Sequence, residues 1–113
     1  MIADIRKHCG DFIGHGLDFI WFDSYEAGTP TWTPKMRAEF QTRRGYDLTD
    51  FLPVLAKRTV GSAAETKKFA GDFQRTIYDL YRDNYFAVIA QKLHAAACSF
   101  AASLTPARGM FSR

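Results

Sequence analysis

The chain has 113 residues, enough for one small domain and too few for two. Its 47% hydrophobic and 24% charged residues are the composition of an ordinary folded protein rather than a disordered one. The formal net charge of +3 comes from basic residues scattered among acids (Arg6, Lys7, Lys35, Arg43, Arg44, Lys57, Arg58, Lys67, Lys68), whereas a nucleic-acid interface concentrates its charge on one face.

No apolar run reaches the length of a membrane span, and Met1 opens into a polar, helix-like stretch instead of a signal peptide. Aromatic residues make up 15% of the chain, ten of them Phe. So many in so short a chain imply either a dense core or apolar faces meant for structure beyond it. Cys9 and Cys98 are too few for a disulfide framework. His8 beside Cys9, and His94 four residues before Cys98, lack the CxxC spacing of a zinc site, so both cysteines are read as packed thiols.

In chain order, Ile2, Ile5, Cys9 and Phe12 recur every three to four residues and predict an amphipathic helix, broken by Gly14 and Gly16. Leu17 to Phe22 is nearly all apolar and suits a strand covered on both faces, as in a parallel sheet. Ser24 to Thr33 is a loop. Thr33-Pro34 then starts a helix whose inner face holds Met36, Phe40 and the aliphatic part of Arg37, and which Gly45 ends.

Asp47 is placed to cap a second short helix through Leu48, Phe51, Leu52 and Leu55, with Pro53 forcing an irregular or late start. Ser62-Ala63-Ala64-Glu65 is a capping box. It opens a long helix reaching toward Ala97, with Phe69, Phe73, Ile77, Leu80, Phe86, Ile89 and Leu93 inside and Arg75, Asp79, Arg82 and Lys92 outside. Ser99 to Ser103 reads as a second strand parallel to the first, and 103–113 as a non-native or disordered tail.

The expected fold class is therefore α/β, mostly helical with two short parallel strands joined by a right-handed crossover. Two parallel strands do not make a sheet that is covered on both faces, and a complete barrel of this kind takes about 250 residues. The chain reads as part of a (β/α) TIM-type barrel, as a truncated or frameshifted gene would leave it.

Asp23 closes the first apolar strand and Glu26 follows in the loop, where parallel barrels build their active sites. Glycoside hydrolysis uses two carboxyl groups, and a pair this close in sequence suits one acid plus an orienting or metal-binding partner. Trp21, Tyr25 and Trp32 add aromatic surface on which a sugar could stack. By spacing alone, the same residues serve as readily to order a loop, with Asp23 capping it and Glu26 solvated. Aromatics taken singly are more often core.

The wording is more specific than the spacing. Asp23-Ser24-Tyr25-Glu26-Ala27-Gly28, Trp32-Thr33-Pro34, Glu39-Phe40, Arg43-Arg44-Gly45-Tyr46-Asp47 and Leu52-Pro53 resemble the bacterial α-L-rhamnosidases of glycoside hydrolase family 106. So do Asp72-Phe73, Thr76, Asp79-Leu80 and Asn84-Tyr85 of the long helix. The resemblance runs from Gly16 to Phe100 and leaves out Leu104 to Arg113.

It implies that Glu26 is the general acid of an inverting hydrolase acting on terminal rhamnosides of plant or bacterial polysaccharide. It implies that Asp23 is a supporting carboxylate at or near a calcium site. The partner is then a carbohydrate substrate, with neither nucleic acid nor membrane, and the rest of a larger barrel enzyme must complete the site, so that the isolated chain is inactive. Similar proteins are often periplasmic or secreted, and a carboxylate is expected near Ser103 where none stands. The competing expectation is a free-standing helical binding module without catalysis, using its exposed aromatic faces for a partner.

Overall fold

The computed structural model describes residues 2–13, 15–22, 32–95 and 99–102. Although the length suggests one domain, the chain divides into two compact units, Met1–Thr29 with Asp83–Arg113, and Pro30–Arg82.

The first unit holds helix α1 (Ile2–Cys9), strand β1 (Phe19–Phe22), helix α5 (Ala87–His94) and strand β2 (Ser99–Ala102). The strands pair in parallel, from Phe19 opposite Ser99 to Phe22 opposite Ala102. Helix α5 packs on β2, and its Leu93 is buried. The expected inner stripe of the first helix stops short of Phe12, which is exposed. The chain tightens to a 3-10 turn at Gly10–Phe12, where the regular helix ends. In the turn that follows, Leu17 donates its N–H to the Phe12 carbonyl at 2.8 Å, and Gly16 takes a φ of 136° that a side chain would oppose.

The second unit contains α2 (Met36–Arg44), a 3-10 turn at Thr49–Phe51, α3 (Leu52–Leu55) and α4 (Ala63–Tyr81). Thr33 acts two residues earlier than a simple cap. Its hydroxyl accepts the Lys35 N–H at 3.0 Å and its carbonyl accepts the Met36 N–H at 3.0 Å, forming a turn that leads into α2. Gly45 ends α2 in the left-handed region (φ 82°), donating to the Gln41 carbonyl at 2.9 Å. Asp47 caps the 3-10 turn, accepting from the Thr49 N–H at 2.9 Å and the Thr49 hydroxyl at 2.7 Å.

Arg37 departs from its expected place on the inner face. It lies about 100° round the helix from Met36, in water, where its Nε donates to both Asp47 carboxylate oxygens at 3.2 and 3.1 Å.

The capping box forms as its spacing predicts. The Ser62 N–H donates to Glu65 Oε2 at 2.7 Å, and the Glu65 N–H donates to Ser62 Oγ at 3.2 Å. From there Phe69, Phe73 and Ile77 recur every four residues and are buried, as are Met36, Phe40 and Leu48. Phe40 is at the centre, edge-on to Tyr46 (5.0 Å) and tilted against Phe69 (5.6 Å) and Phe73 (6.4 Å), while Phe51 stacks on Phe69 at 5.2 Å.

Asp79, expected on the outer side of α4, is instead the counter-ion of Arg44 on α2. The Arg44 side chain is only 12% exposed, and a charge taken that far from water needs a partner. Its Nε also donates to the Thr76 hydroxyl at 2.9 Å, and Thr76 in turn donates to the Asp72 carbonyl at 2.8 Å. Arg82 meets the other Asp79 oxygen at 3.2 Å.

The long helix is not α-helical throughout. Arg82–Phe86 is π-helical, and the boundary between the two compact units falls there. Each wide turn displaces the apolar stripe, so Phe86 and Ile89 are only half-buried while Leu93 is covered. Helix α5 ends at His94, short of the expected Ala97, and 96–98 lie outside the described residues.

The polar groups around Tyr46 set a pH dependence. Burial, then the hydrogen bond to Asp72 (3.1 Å) and that carboxylate's charge, push the Tyr46 phenol from 10.0 up to about 12. Burial alone would raise Asp72, but hydrogen bonds from Lys68 and Tyr46 and the charges of Lys68 and Arg44 outweigh it and hold the carboxyl below its ordinary 3.8. Hydrogen bonds from Arg37, then from Thr49, hold Asp47 well below the usual carboxylate range.

A raised phenol stabilises the fold fully below pH 10.0 and loses that contribution as pH rises toward about 12. The depressed carboxylates contribute above 3.8 and lose it as pH falls through their lower folded values. Melting temperature against pH should therefore decline at both ends. Tyr46→Phe should shrink the alkaline decline and leave most of the acid one, and identical profiles would remove Tyr46 from this account.

Candidate functional site

Strand β1 leads straight into residues 23–31, which carry the acidic motif. The motif thus follows the C-terminal end of a strand in a parallel pair, where open α/β sheets and barrels gather their catalytic groups. On the near side the β1–β2 ladder fixes the chain. On the far side it re-enters described structure at Trp32 and the Thr33 turn, and α2 is pinned to α4 through Phe40 and Arg44.

Asp23, Tyr25 and Glu26 lie outside the described residues. Trp21 stands on β1 and is 60% exposed, and Trp32 precedes α2 and is 49% exposed. The first belongs to the Met1–Thr29 unit and the second to the Pro30–Arg82 unit. Both rings are open enough for stacking.

No group of three or more His, Cys, Asp or Glu side chains is placed to hold a metal among the described residues. Cys9 is a free thiol. No described helix is long and apolar enough to cross a membrane.

Two features, one in each unit, do not follow from the local sequence pattern. Phe19 is 57% exposed beside Trp21, although the all-apolar run implies cover on both faces. Thr76 is fully buried and ties Arg44 to α4, a role that no local pattern announces because its partner lies 32 residues away. The Arg43-Arg44-Gly45-Tyr46-Asp47 stretch did signal importance. Arg44, Tyr46 and Asp47 each make a hydrogen bond that organises the second unit.

Comparison with known proteins places the chain in a family context. The family model of glycoside hydrolase family 106, described as alpha-L-rhamnosidase, matches residues 1–109. That is wider than the Gly16–Phe100 stretch bearing the motifs, and it extends into 103–113. A protein of Formosa agariphila, provisionally named a beta-glucuronidase, is 41% identical over 110 residues. The aligned region is 97% of this chain and 9% of that relative.

Proposed function

Because the chain belongs to glycoside hydrolase family 106, the alpha-L-rhamnosidase family, we propose that it is a segment of the catalytic barrel of a larger enzyme that hydrolyses terminal α-L-rhamnosides with inversion. The observation that carries the reading is the parallel β1–β2 pair, whose first strand runs directly into Asp23-Ser24-Tyr25-Glu26. Glu26 protonates the departing glycosidic oxygen. Trp21, Tyr25 and Trp32 are each candidates for stacking on a sugar.

An inverting hydrolase also needs a carboxylate to activate water on the opposite face of the ring. Residues 99–113 contain no Asp or Glu, so that base comes from another part of the barrel. The segment by itself is inactive.

The test is an assay of the complete enzyme on nitrophenyl α-L-rhamnoside and nitrophenyl β-glucuronide, the latter because of the relative's name. Turnover of the rhamnoside, with the β-anomer of rhamnose appearing first by NMR, is the expected result. Release of the α-anomer would overturn inversion, and turnover of the glucuronide alone would overturn the sugar.

Asp23 is the carboxylate for a calcium ion. One carboxylate cannot hold a cation that takes six to eight oxygen ligands, so most of the set lies beyond the described residues. A bound calcium would supply fixed positive charge for orienting sugar hydroxyls. Asp23→Asn should lower activity in a way that added calcium partly restores. A loss indifferent to calcium from micromolar to millimolar would assign Asp23 to loop structure instead.

A further inference from the structure

Along β1 exposure alternates. Phe19 (57%) and Trp21 (60%) are open, and Ile20 between them is half-buried. Successive strand residues point to opposite faces, so Phe19 and Trp21 share the more exposed face and Ile20 the other. The more exposed face presents two large aromatics and no charge at positions 19 and 21. The register sets Ser99 and Ala101 opposite them. Among the described residues β1 and β2 pair only with each other, whereas parallel sheets occur with more strands and with both faces covered.

We infer that the Phe19–Trp21 face is an interior surface of the larger enzyme's barrel, covered by apolar side chains from further strands of the same polypeptide. The inference rests on the barrel reading above and changes the role of Trp21, from a wall for sugar to a packing residue that fixes the strand entering the acidic motif.

Three observations choose this occupant. The relative extends far beyond the matched stretch, which is 9% of its length, so ample chain exists to supply the missing strands. A second copy of this chain would find too little to hold. Two aromatics bury about 150–250 Å² each, below the roughly 800 Å² per partner of a stable interface. A sugar platform needs polar groups converging beside the ring, and the described positions that share this face with Trp21 are Phe19, Ser99 and Ala101, with one hydroxyl and no charged group among them.

Hydroxyl-radical footprinting of the unaltered complete enzyme, read by mass spectrometry at Phe19 and Trp21, tests the assignment without any substitution. Both residues should oxidise at least tenfold more slowly in the native enzyme than in urea, at every protein concentration, and methyl α-L-rhamnoside should leave the rates unchanged. Rapid oxidation in an enzyme that still hydrolyses glycosides would overturn the inference while leaving the barrel reading intact. Protection that appears only with the sugar would return Trp21 to the substrate site. Protection that grows with protein concentration would make the face a contact between copies. Rapid oxidation in a protein without glycosidase activity would remove the barrel reading, and the inference with it.

Discussion

Replacing Glu26 by Gln in the complete enzyme should reduce hydrolysis of a natural rhamnoside by about 10²–10⁴-fold, the usual contribution of a positioned general acid. The amide keeps the shape of the side chain but cannot give a proton to the departing oxygen. The penalty therefore scales with how badly the leaving group needs that proton. A sugar alcohol leaves poorly as an alkoxide, whereas nitrophenolate leaves readily without help.

Glu26→Gln should accordingly cost much less on nitrophenyl α-L-rhamnoside than on a disaccharide. The loss should fall on kcat more than on KM, since proton transfer belongs to the transition state. The pH profile on the natural substrate should also lose its alkaline limb, which reports ionisation of the acid. Equal, small losses on both substrates would mean that Glu26 only orders its loop and that the acid lies elsewhere in the barrel.

Phe40→Ala should cost about 3–5 kcal/mol, the range for deleting a buried aromatic ring. Phe40 is fully buried, and its ring meets Tyr46, Phe69 and Phe73 together. It joins α2 to α4, so the void would open where two helices share one core. A domain is stable by only about 5–15 kcal/mol, which makes this single change enough to melt much of Pro30–Arg82.

Urea unfolding followed by far-UV circular dichroism should show the midpoint falling sharply in the variant. Tyr78→Ala, on the exposed side of the same helix, should move it by no more than about 0.5 kcal/mol. Comparable shifts for the two variants would show that the aromatic cluster is not what holds this unit together.

Several features were legible in the sequence because the atoms involved lie within a few residues of one another. The capping box at Ser62 and Glu65, the left-handed stop at Gly45 and the Asp47 cap on Thr49 each close over two to four residues. The four-residue spacing of Phe69, Phe73 and Ile77 was equally local, and it named the buried face of α4 correctly. Family membership was legible in the wording around Asp23 and Glu26 and is carried by the match over residues 1–109. The roles of those two carboxyls came with the resemblance and not with any spacing, since a carboxylate pair three apart orders loops as readily as it donates protons.

Tertiary structure decided what depended on distant partners. Asp79 has the same place in the helical period whether or not Arg44, 35 residues earlier, comes to meet it. Thr76 looks like an ordinary helix residue until Arg44 turns its Nε toward the hydroxyl. The regular helix ends before Phe12, which stands exposed, and the π-helical segment Arg82–Phe86 divides a pattern that reads as one continuous helix. An apolar run states that a strand is to be covered on both faces but not by what. Phe19 and Trp21 are the exposed positions of β1, and since hydrophobic burial is non-directional, only the packing of other elements determines which face receives it.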